Sequence, residues 1–251
     1  MSFEDITILV PTFNRSKFLP LFLLNVANQS YPKHHLKIII DDDGPDAFIK
    51  NIDAVRAALG EVELTYITGK PRRSIGKKRH DLIKACKTKV FCFIDDDDIY
   101  LPTYIEYSYN FMKEGRFGCV GSNKMLFTMS SSNYDIHMID CGDKKGLIHE
   151  ACVMATTKWY KGSCGFANSS LGEGAQLFAG QNKLVGITDV RHCMICLEHD
   201  GNTVDKLQFA KKENKIEIEL SAPLTEMIDK ILNENLIPTE DIEVIDGDGS
   251  D

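Results

Sequence analysis

The sequence predicts an α/β fold: a single domain whose mostly parallel sheet is covered by helices on both faces. Two observations support this prediction. Short, wholly apolar runs alternate along the first half of the chain with segments whose apolar residues recur every three or four positions. The apolar runs lack a polar face, as expected of strands that are buried on both sides. With 251 residues, 43% of them hydrophobic, the chain can form one sizeable core.

The first half contains four predicted strand and helix pairs. The strands are the apolar runs at residues 6–10, 36–40, 62–68 and 90–94, and the helices follow them at 16–28, 48–59, 75–87 and 102–114. Apolar residues from Phe48 to Leu59 are spaced by four, three and four positions, which gives the second helix one buried face. Pro20 and Pro102 suit first-turn positions of their helices.

The second half gives shorter and less regular signals. Strands are predicted at residues 118–122, 125–129, 136–139, 185–187 and 190–197, and helices at 175–178 and 224–232. A loop rich in Gly and Ser at 162–174 and an acidic tail at 240–251 are expected to be mobile. We expect a domain at 1–205 with two halves, at about 1–115 and 116–205, and a C-terminal extension at 206–251.

Composition excludes several classes of function. The formal net charge of −8 argues against a partner made of nucleic acid, because phosphate binding needs a basic surface. No run approaches the ~18 consecutive apolar residues of a membrane helix, so no integral membrane segment is expected. Several of the eight cysteines lie in apolar runs and no secretory leader begins the chain, which predicts reduced cysteines and a cytoplasmic location.

The strongest chemical signal is the run of four aspartates from Asp95 to Asp98, directly after the fourth predicted strand. Adjacent carboxylates repel by roughly 1 kcal/mol per pair in water, and by more near a protein surface. A divalent cation bound through oxygen offsets this repulsion, so the run predicts a metal site. The alternative is a solvated acidic turn that caps the helix beginning at Pro102.

A second acidic cluster, Asp41 to Asp43 before Gly44, follows the second predicted strand. Carboxyl ends of parallel strands share one edge of a sheet, so both clusters are expected there, near the point where strand order reverses. A carboxylate in this turn suits a base or a ribose, or else caps the next helix. The basic segment 70–79 is expected either to neutralise a diphosphate at this edge or to form an exposed charged surface.

Five motifs in a fixed order resemble glycosyltransferase family 2. They are ILVPTFNR at 8–15, QSYP at 29–32, IIIDDDG at 38–44, SIGKKRH at 74–80 and FIDDDD at 93–98, with Pro102 after them. As an ordered set over residues 5–115 they are specific. The resemblance implies the Rossmann-like GT-A fold and an inverting transfer from a nucleoside-diphosphate sugar, with UDP expected, to an acceptor hydroxyl. It also implies Mn²⁺ or Mg²⁺ as the cofactor, a nucleotide-binding half at about 1–115 and an acceptor half at 116–205.

The resemblance further implies roles for residues at matching positions. The nucleotide-binding candidates are Pro11, Thr12, Arg15, Asp42, Lys78, Arg79, Asp95 and Asp96. Among them Asp42 contacts the base, unless Asp41 is the true equivalent. Asp97 holds the metal, with Asp95 and His199 as further candidate ligands. The register of the DXD pair within the four aspartates stays open, so Asp96 and Asp98 are also candidates for it.

Catalytic and acceptor residues are implied less directly. The general base of the family is usually in a Glu-Asp pair, of which this chain has only Glu173, followed by Gly174. Glu173 is therefore the candidate base, the alternative being an acid that a helix N-terminus favours. His199 begins a segment that suits a surface turn equally well. Trp159 is either a stacking platform for the acceptor or a core residue.

Three alternatives stay open. A sugar-phosphate nucleotidyltransferase of related fold would carry a Gly-rich loop after the first strand, where this chain has PTFNR at 11–15. A receiver-like signalling module with an acidic Mg²⁺ pocket would need about half this length. A zinc site at Cys193 and Cys196 lacks a second pair of ligands. For a transferase, the acceptor is expected to be a glycan, a glycoprotein or a lipid-linked sugar.

Overall fold

The computed structural model describes residues 3–142, 147–179, 184–200 and 211–233. The described strands are β1 (Ile6–Thr12), β2 (Leu36–Asp42), β3 (Glu63–Ile67), β4 (Val90–Phe93), β5 (Ile99–Tyr100), β6 (Cys119–Gly121), β7 (Lys124–Thr128), β8 (Ile136–Asp140), β9 (Met154–Thr156), β10 (Val185–Ile187), β11 (Met194–Leu197) and β12 (Lys215–Ile216). The described α-helices are α1 (Leu19–Ala27), α2 (Ile52–Leu59), α3 (Ile75–Ala85), α4 (Tyr104–Glu114), α5 (Thr157–Lys161) and α6 (Ala222–Leu232).

The larger of two sheets has seven strands in the order β10-β6-β9-β4-β1-β2-β3. β1 pairs in parallel with both β2 and β4, so the strand order reverses at β1. β9 is antiparallel to both of its neighbours, β4 and β6. The predicted α/β fold with a mostly parallel sheet is confirmed, and the carboxyl ends of β1 and β4 flank the reversal point.

The larger sheet is buried on both faces, as its apolar strands predict. In β1, Ile8 and Val10 belong to one apolar cluster and Leu9 belongs to another. The first cluster contains residues of α1, α2 and α4, and the second contains residues of α3 and α5. This alternation follows from the two-residue period of a β-strand. The two helical layers fix the sheet edge at which the acidic residues of the sequence lie.

A smaller sheet of five strands, in the order β12-β8-β7-β11-β5, was not predicted as a separate unit. Its own apolar cluster joins Leu126 and Ile136 of the sheet to Phe18 and to Ile228 and Ile231 of α6. The predicted helix at 224–232 is therefore present, and it packs against the core. The boundary at residue 205 and the acidic tail at 240–251 lie outside the described residues, and the division into halves stays a prediction.

Several predicted boundaries differ from the structure. Phe48 precedes α2, because its backbone N–H donates to the Asp42 carboxylate at 2.8 Å and Asn51 caps the helix. α4 begins at Tyr104, after Pro102. Residues 175–178 form turns instead of the predicted helix, and residues 190–192 form a 3₁₀ turn before β11. At α2, side-chain hydrogen bonds of Asp42 and Asn51 thus decide where the helix begins.

Within the described ranges, no helix combines the length and the apolar composition that a membrane crossing requires. All eight cysteines lie in described residues, and none of them forms a disulfide. Burial raises the pKa of the Cys152 thiol well above its ordinary value. The buried cysteines therefore act as small apolar side chains in the core.

Candidate active site

An open cleft of about 740 Å³ lies at the carboxyl ends of β1 and β4, beside the reversal of strand order. Its volume is typical of small-ligand sites. The residues that line it are Pro11, Thr12, Phe13, Arg15, Arg72, Arg73, Ile75, Lys78, Arg79, Asp95, Asp96, Asp97, Asp98, Met125, Ile139, Cys141, His149, Glu150, Ser170 and Cys196. Seven of the eight predicted nucleotide-binding residues are in this set, the exception being Asp42.

The carboxylate of Asp97 contacts two basic side chains that are distant from it in sequence. Its Oδ2 accepts a hydrogen bond from Nη1 of Arg15 and lies 3.0 Å from Nε2 of His199. That imidazole nitrogen is also 3.1 Å from Nη1 of Arg15. Burial would raise the pKa of Asp97, but hydrogen bonding to His199 and the charge of Arg15 together lower it. Asp97 is therefore an ionised carboxylate, and His199 is a buried neighbour of it instead of a surface turn residue.

The adjacent aspartates face other groups. Asp96 is buried and accepts a hydrogen bond from the Thr12 hydroxyl, and its burial, with the nearby charge of Asp97, raises its pKa to about 8. Oδ1 of Asp98 accepts a hydrogen bond from the backbone N–H of Leu197 at 3.0 Å, which ties this loop to β11. The run is therefore a folded, largely buried loop and not a solvated acidic turn.

The guanidinium of Arg79 links the carboxylate of Asp95 to that of Glu173. It is 4% exposed, and its guanidinium donates to Oδ2 of Asp95 at 2.9 Å and to Oε1 of Glu173 at 3.4 Å. Burial would lower the pKa of Arg79, but the charges of Asp95 and Glu173 raise it. In the described part of the chain, Nη1 of Arg79 and Oδ1 of Asp95 are buried without a hydrogen-bond partner. Both are groups that a bound ligand can satisfy.

The carboxylates that follow β2 are neutralised by basic side chains. Nζ of Lys78 donates to Oδ1 of Asp43 at 2.7 Å and to the backbone oxygen of Thr12 at 2.5 Å. Arg73 donates to Oδ1 of Asp41 through its guanidinium and to Oδ2 of Asp43 through its backbone N–H, both at 2.7 Å. The predicted basic segment therefore holds the loops after β1 and β2 together.

Asp42 is not among the residues that line the cleft, and its contact with the donor base stays a prediction. Its fully buried carboxylate accepts hydrogen bonds from the backbone N–H of Gly44 at 2.9 Å and of Phe48 at 2.8 Å. The Tyr66 hydroxyl donates to it as well, at 2.6 Å. This is the Asx-type turn that the sequence left as the alternative. The role of Asp42 is to fold the loop before α2.

The structure also places the predicted acceptor residue, Trp159, and the predicted base, Glu173. Trp159 is 5% exposed and lies in the core against Phe178 and Gly118, whose missing Cβ leaves room for the indole. It therefore lies in the core, and a contact of Trp159 with the acceptor stays a prediction. Glu173 is 7% exposed, and its carboxylate faces the guanidinium of Arg79. Its position suits holding Arg79 in place, and its role as the general base stays a prediction.

The family model described as Glycosyl transferase family 2 matches residues 7–169, a span that contains β1, β4 and the acidic run. The chain belongs to glycosyl transferase family 2. Membership confirms the resemblance carried by the ordered motifs and places the chain among glycosyl-transfer enzymes. It sets aside the nucleotidyltransferase and the receiver-like module as alternatives.

This family 2 chain also has a curated relative. It is 30% identical over 147 residues to the poly(ribitol-phosphate) beta-glucosyltransferase of Bacillus spizizenii. The match covers 54% of this chain and 23% of that protein. The chain therefore spans less than a quarter of the length of this relative.

Solved glycosyltransferases share the fold of the family 2 chain. S. aureus TarS 1–349 in complex with UDP-GlcNAc has a TM-score of 0.57 at 15% identity, covering 95% of this chain and 68% of that one. The mannosyltransferase PcManGT from Pyrobaculum calidifontis, in complex with GDP-Man and Mn²⁺, has a TM-score of 0.61 at 14% identity, covering 83% and 59%. At these identities the likeness shows the fold, and it confirms the predicted GT-A fold.

The family 2 cleft also contains Arg72, from the predicted basic segment, and Glu150, which sequence reasoning missed. Arg72 lies over the ring of Phe13, with 4.2 Å between its guanidinium carbon and the ring centroid. Glu150 lines the cleft and accepts a hydrogen bond from the backbone N–H of Gly174 at 3.0 Å. The sequence contained only an indirect signal for Glu150. Gly174 stands where the resemblance places the second acid of the Glu-Asp pair, so a carboxylate at that place would have to come from another segment of the chain.

Proposed function

We propose that this chain is an inverting glycosyltransferase that moves a sugar from a nucleoside-diphosphate sugar, with UDP as the carrier, to an acceptor hydroxyl, assisted by a divalent metal. The observation that carries the proposal is the convergence of Arg15, Asp97 and His199 at the cleft that Arg79 also lines. This edge of an α/β sheet, outside the carboxyl ends of its strands, is where such sheets bind ligands.

The nucleotide of the donor is proposed to lie along the carboxyl ends of β1 and β4, against Pro11 and Thr12. Nη1 of Arg79, which has no partner in the described part of the chain, supplies a buried donor for a phosphate oxygen. Lys78 is already bound by Thr12 and Asp43, so it supports this floor of the cleft. The solved complexes of TarS with UDP and with UDP-GlcNAc support UDP as the carrier.

The residues present fit a divalent metal. Oδ2 of Asp97 and Nε2 of His199 are 3.0 Å apart, and Oδ1 of Asp95 has no hydrogen-bond partner among the described residues. Within the described ranges no three His, Cys, Asp or Glu side chains form a self-contained metal site, so oxygens of the donor would complete the ligand set. When bound, Mn²⁺ or Mg²⁺ would stabilise negative charge on the leaving diphosphate. An imidazole ligand favours Mn²⁺, since Mg²⁺ prefers oxygen.

The chain's own residues supply the rest of the mechanism. Arg79 is held rigidly by Asp95 and Glu173, so it can bind the diphosphate without reorganising. Arg15 is paired with the oxygen of Asp97 that His199 also contacts. The Arg15 side chain is proposed to swing from this oxygen to the diphosphate when the donor binds. An acceptor oxygen then displaces the nucleoside diphosphate from C1 in a single step, which inverts the anomeric centre through a transition state with oxocarbenium character.

The acceptor is proposed to enter on the side of the cleft that Met125, Ile139 and Cys196 line. These apolar side chains can cover the flat face of a sugar ring while polar groups of the cleft orient its hydroxyls. A glycan, a glycoprotein and a lipid-linked sugar each present such a hydroxyl. The cytoplasmic location stays a prediction.

The proposal is tested by thermal unfolding with UDP, with MnCl₂ and with both. Saturating ligand at about 100 times its Kd stabilises a protein by about 2.7 kcal/mol. For a chain of this size we expect a Tm increase of roughly 5–10 °C when UDP and Mn²⁺ are present together, and a much smaller one with either alone. A response to Mg²⁺ and beryllofluoride without any response to UDP would contradict the proposal, because it is the behaviour of a receiver.

A further inference from the structure

The carboxylate of Glu150 lies on the wall of the cleft. A backbone N–H from a loop that is distant in sequence fixes its position. It lies at the start of a 3₁₀ turn (Glu150–Cys152) just before β9 and is partly buried. Its Oε1 accepts a hydrogen bond from the backbone N–H of Gly174 at 3.0 Å. Among the described residues no other side chain or backbone group is hydrogen-bonded to this carboxylate. One oxygen of the Glu150 carboxylate is therefore held by a hydrogen bond, and the residue lines the cleft.

Gly174 leaves room for that carboxylate. A Cβ at residue 174 would lie 2.3 Å from Oε1 of Glu150 and 2.8 Å from its Cδ. The φ angle of Gly174 lies outside the left-handed region, so its backbone accommodates any L-residue. A side chain at residue 174 would therefore displace the Glu150 carboxylate from its present position. The carboxylate of Glu150 thus stands where a side chain at residue 174 would begin.

The neighbouring acid, Glu173, is engaged elsewhere. Its carboxylate pairs with Arg79, which is also paired with Asp95. A base that takes a proton from an acceptor needs a carboxylate that the acceptor can approach. Of the two glutamates at this end of the cleft, only Glu150 is among the lining residues.

We propose that Glu150 is the general base that activates the acceptor, an inference that rests on the proposed glycosyl transfer. The acceptor O–H gives its proton to the Glu150 carboxylate as its oxygen forms the bond to C1 of the sugar. The bond from C1 to the diphosphate oxygen breaks, and its electron pair leaves with the nucleoside diphosphate. The backbone N–H of Gly174 positions the carboxylate for this transfer.

The test uses transfer of the sugar to water, which needs no identified acceptor. UDP-glucose, UDP-GlcNAc and GDP-mannose are incubated with Mn²⁺ and the wild-type chain, and the donor hydrolysed fastest is used for the variants. Glu150→Gln should lower the hydrolysis rate by at least about 100-fold, the usual contribution of a positioned base. It should leave the UDP-dependent rise in Tm unchanged. Glu63→Gln, on the exposed face of edge strand β3, is the matched control and should hydrolyse like the wild type.

The outcomes separate the two proposals. A Glu150→Gln variant that binds UDP and hydrolyses within threefold of the wild-type rate would overturn the role of Glu150 alone. A wild type with neither UDP-dependent stabilisation nor hydrolysis of any of the three donors would overturn the proposed function itself.

A second pair of variants tests the position of the carboxylate. Glu150→Ala empties the space beside residue 174, and adding Gly174→Asp returns a carboxylate to it from the other backbone segment. We expect Glu150→Ala to be as slow as Glu150→Gln, and the double variant to be at least tenfold faster than Glu150→Ala. Gly174→Asp alone should be impaired, because its Cβ meets Glu150. A double variant that binds UDP normally but gains no rate would contradict the assignment.

Discussion

Oδ2 of Asp97 lies 3.0 Å from Nε2 of His199, although the two residues are 102 positions apart in the sequence. The contact joins the loop after β4, in the larger sheet, to the end of β11, in the smaller one. A carboxylate oxygen and an imidazole nitrogen therefore meet at a point that neither sheet forms by itself.

Asp97→Asn should remove the metal dependence of donor binding. The amide keeps the size of the side chain but loses the negative charge that a divalent ion requires. We expect the joint effect of Mn²⁺ and UDP on Tm to disappear, as measured by thermal unfolding at several MnCl₂ concentrations. Asp53→Asn, whose side chain is 90% exposed, is the control for the same chemical change. An Asp97→Asn chain with an undiminished joint effect would show that the metal binds elsewhere.

Arg79→Ala should destabilise the fold as well as weaken donor binding. It would leave the carboxylates of Asp95 and Glu173 without their shared partner, and removing one member of a buried ion pair costs about 3–5 kcal/mol. Urea unfolding measures this loss. Arg56→Ala removes a solvent-exposed pair with Asp53 and should change the free energy of unfolding by less than about 1 kcal/mol. Equal effects of the two substitutions would contradict the supporting role given to Arg79.

Asp42→Asn should affect stability and leave nucleotide binding intact. The amide cannot accept all three hydrogen bonds that Gly44, Phe48 and Tyr66 donate, and leaving a buried donor unsatisfied costs about 1–3 kcal/mol. Tyr66→Phe removes one of those donors and should cost less. If Asp42→Asn instead kept full stability and lost the UDP response, Asp42 would contact the base after all.

Gly76→Ala should loosen the loop behind the cleft. A Cβ at this position of α3 would lie 1.9 Å from the backbone oxygen of Ala167 and 2.9 Å from Cβ of Glu173. Overpacking of this kind costs about 1–3 kcal/mol, despite the better helix propensity of alanine. Gly162→Ala is the control, because its nearest contact would be an ordinary 3.5 Å to the backbone oxygen of Trp159. No difference in Tm between the two variants would contradict this packing.

Much of the fold was predictable because its signals are local. The apolar run at β4 and the aspartates directly after it predict a loop at the carboxyl end of a buried strand, whatever the rest of the chain does. The motifs that follow β1 and begin α3 are local in the same sense, and the structure brings them to one cleft. Strand periodicity also predicts both faces of the larger sheet.

Side-chain placement that depends on partners distant in sequence was not predictable. The direction of the Asp42 carboxylate is decided partly by Tyr66, 24 residues later. The burial of Trp159 depends on the absence of a side chain at Gly118. Glu150 gave no signal of its own, because its position beside residue 174 is set by the packing of two irregular segments. Such pairings are not encoded in any short window of sequence.

β9 has a consequence for how the chain can be divided. This short strand lies between β4 and β6 and is the neighbour that β4 needs on the side away from β1. A fragment ending at residue 115 would keep every strand up to β4. Without β9, however, the backbone amides and carbonyls on one side of Val90–Phe93 would be unpaired, and its apolar side chains would be exposed at a sheet edge. We therefore expect the truncated chain to aggregate. The motifs at residues 8–98 would then fold only together with the later half of the chain.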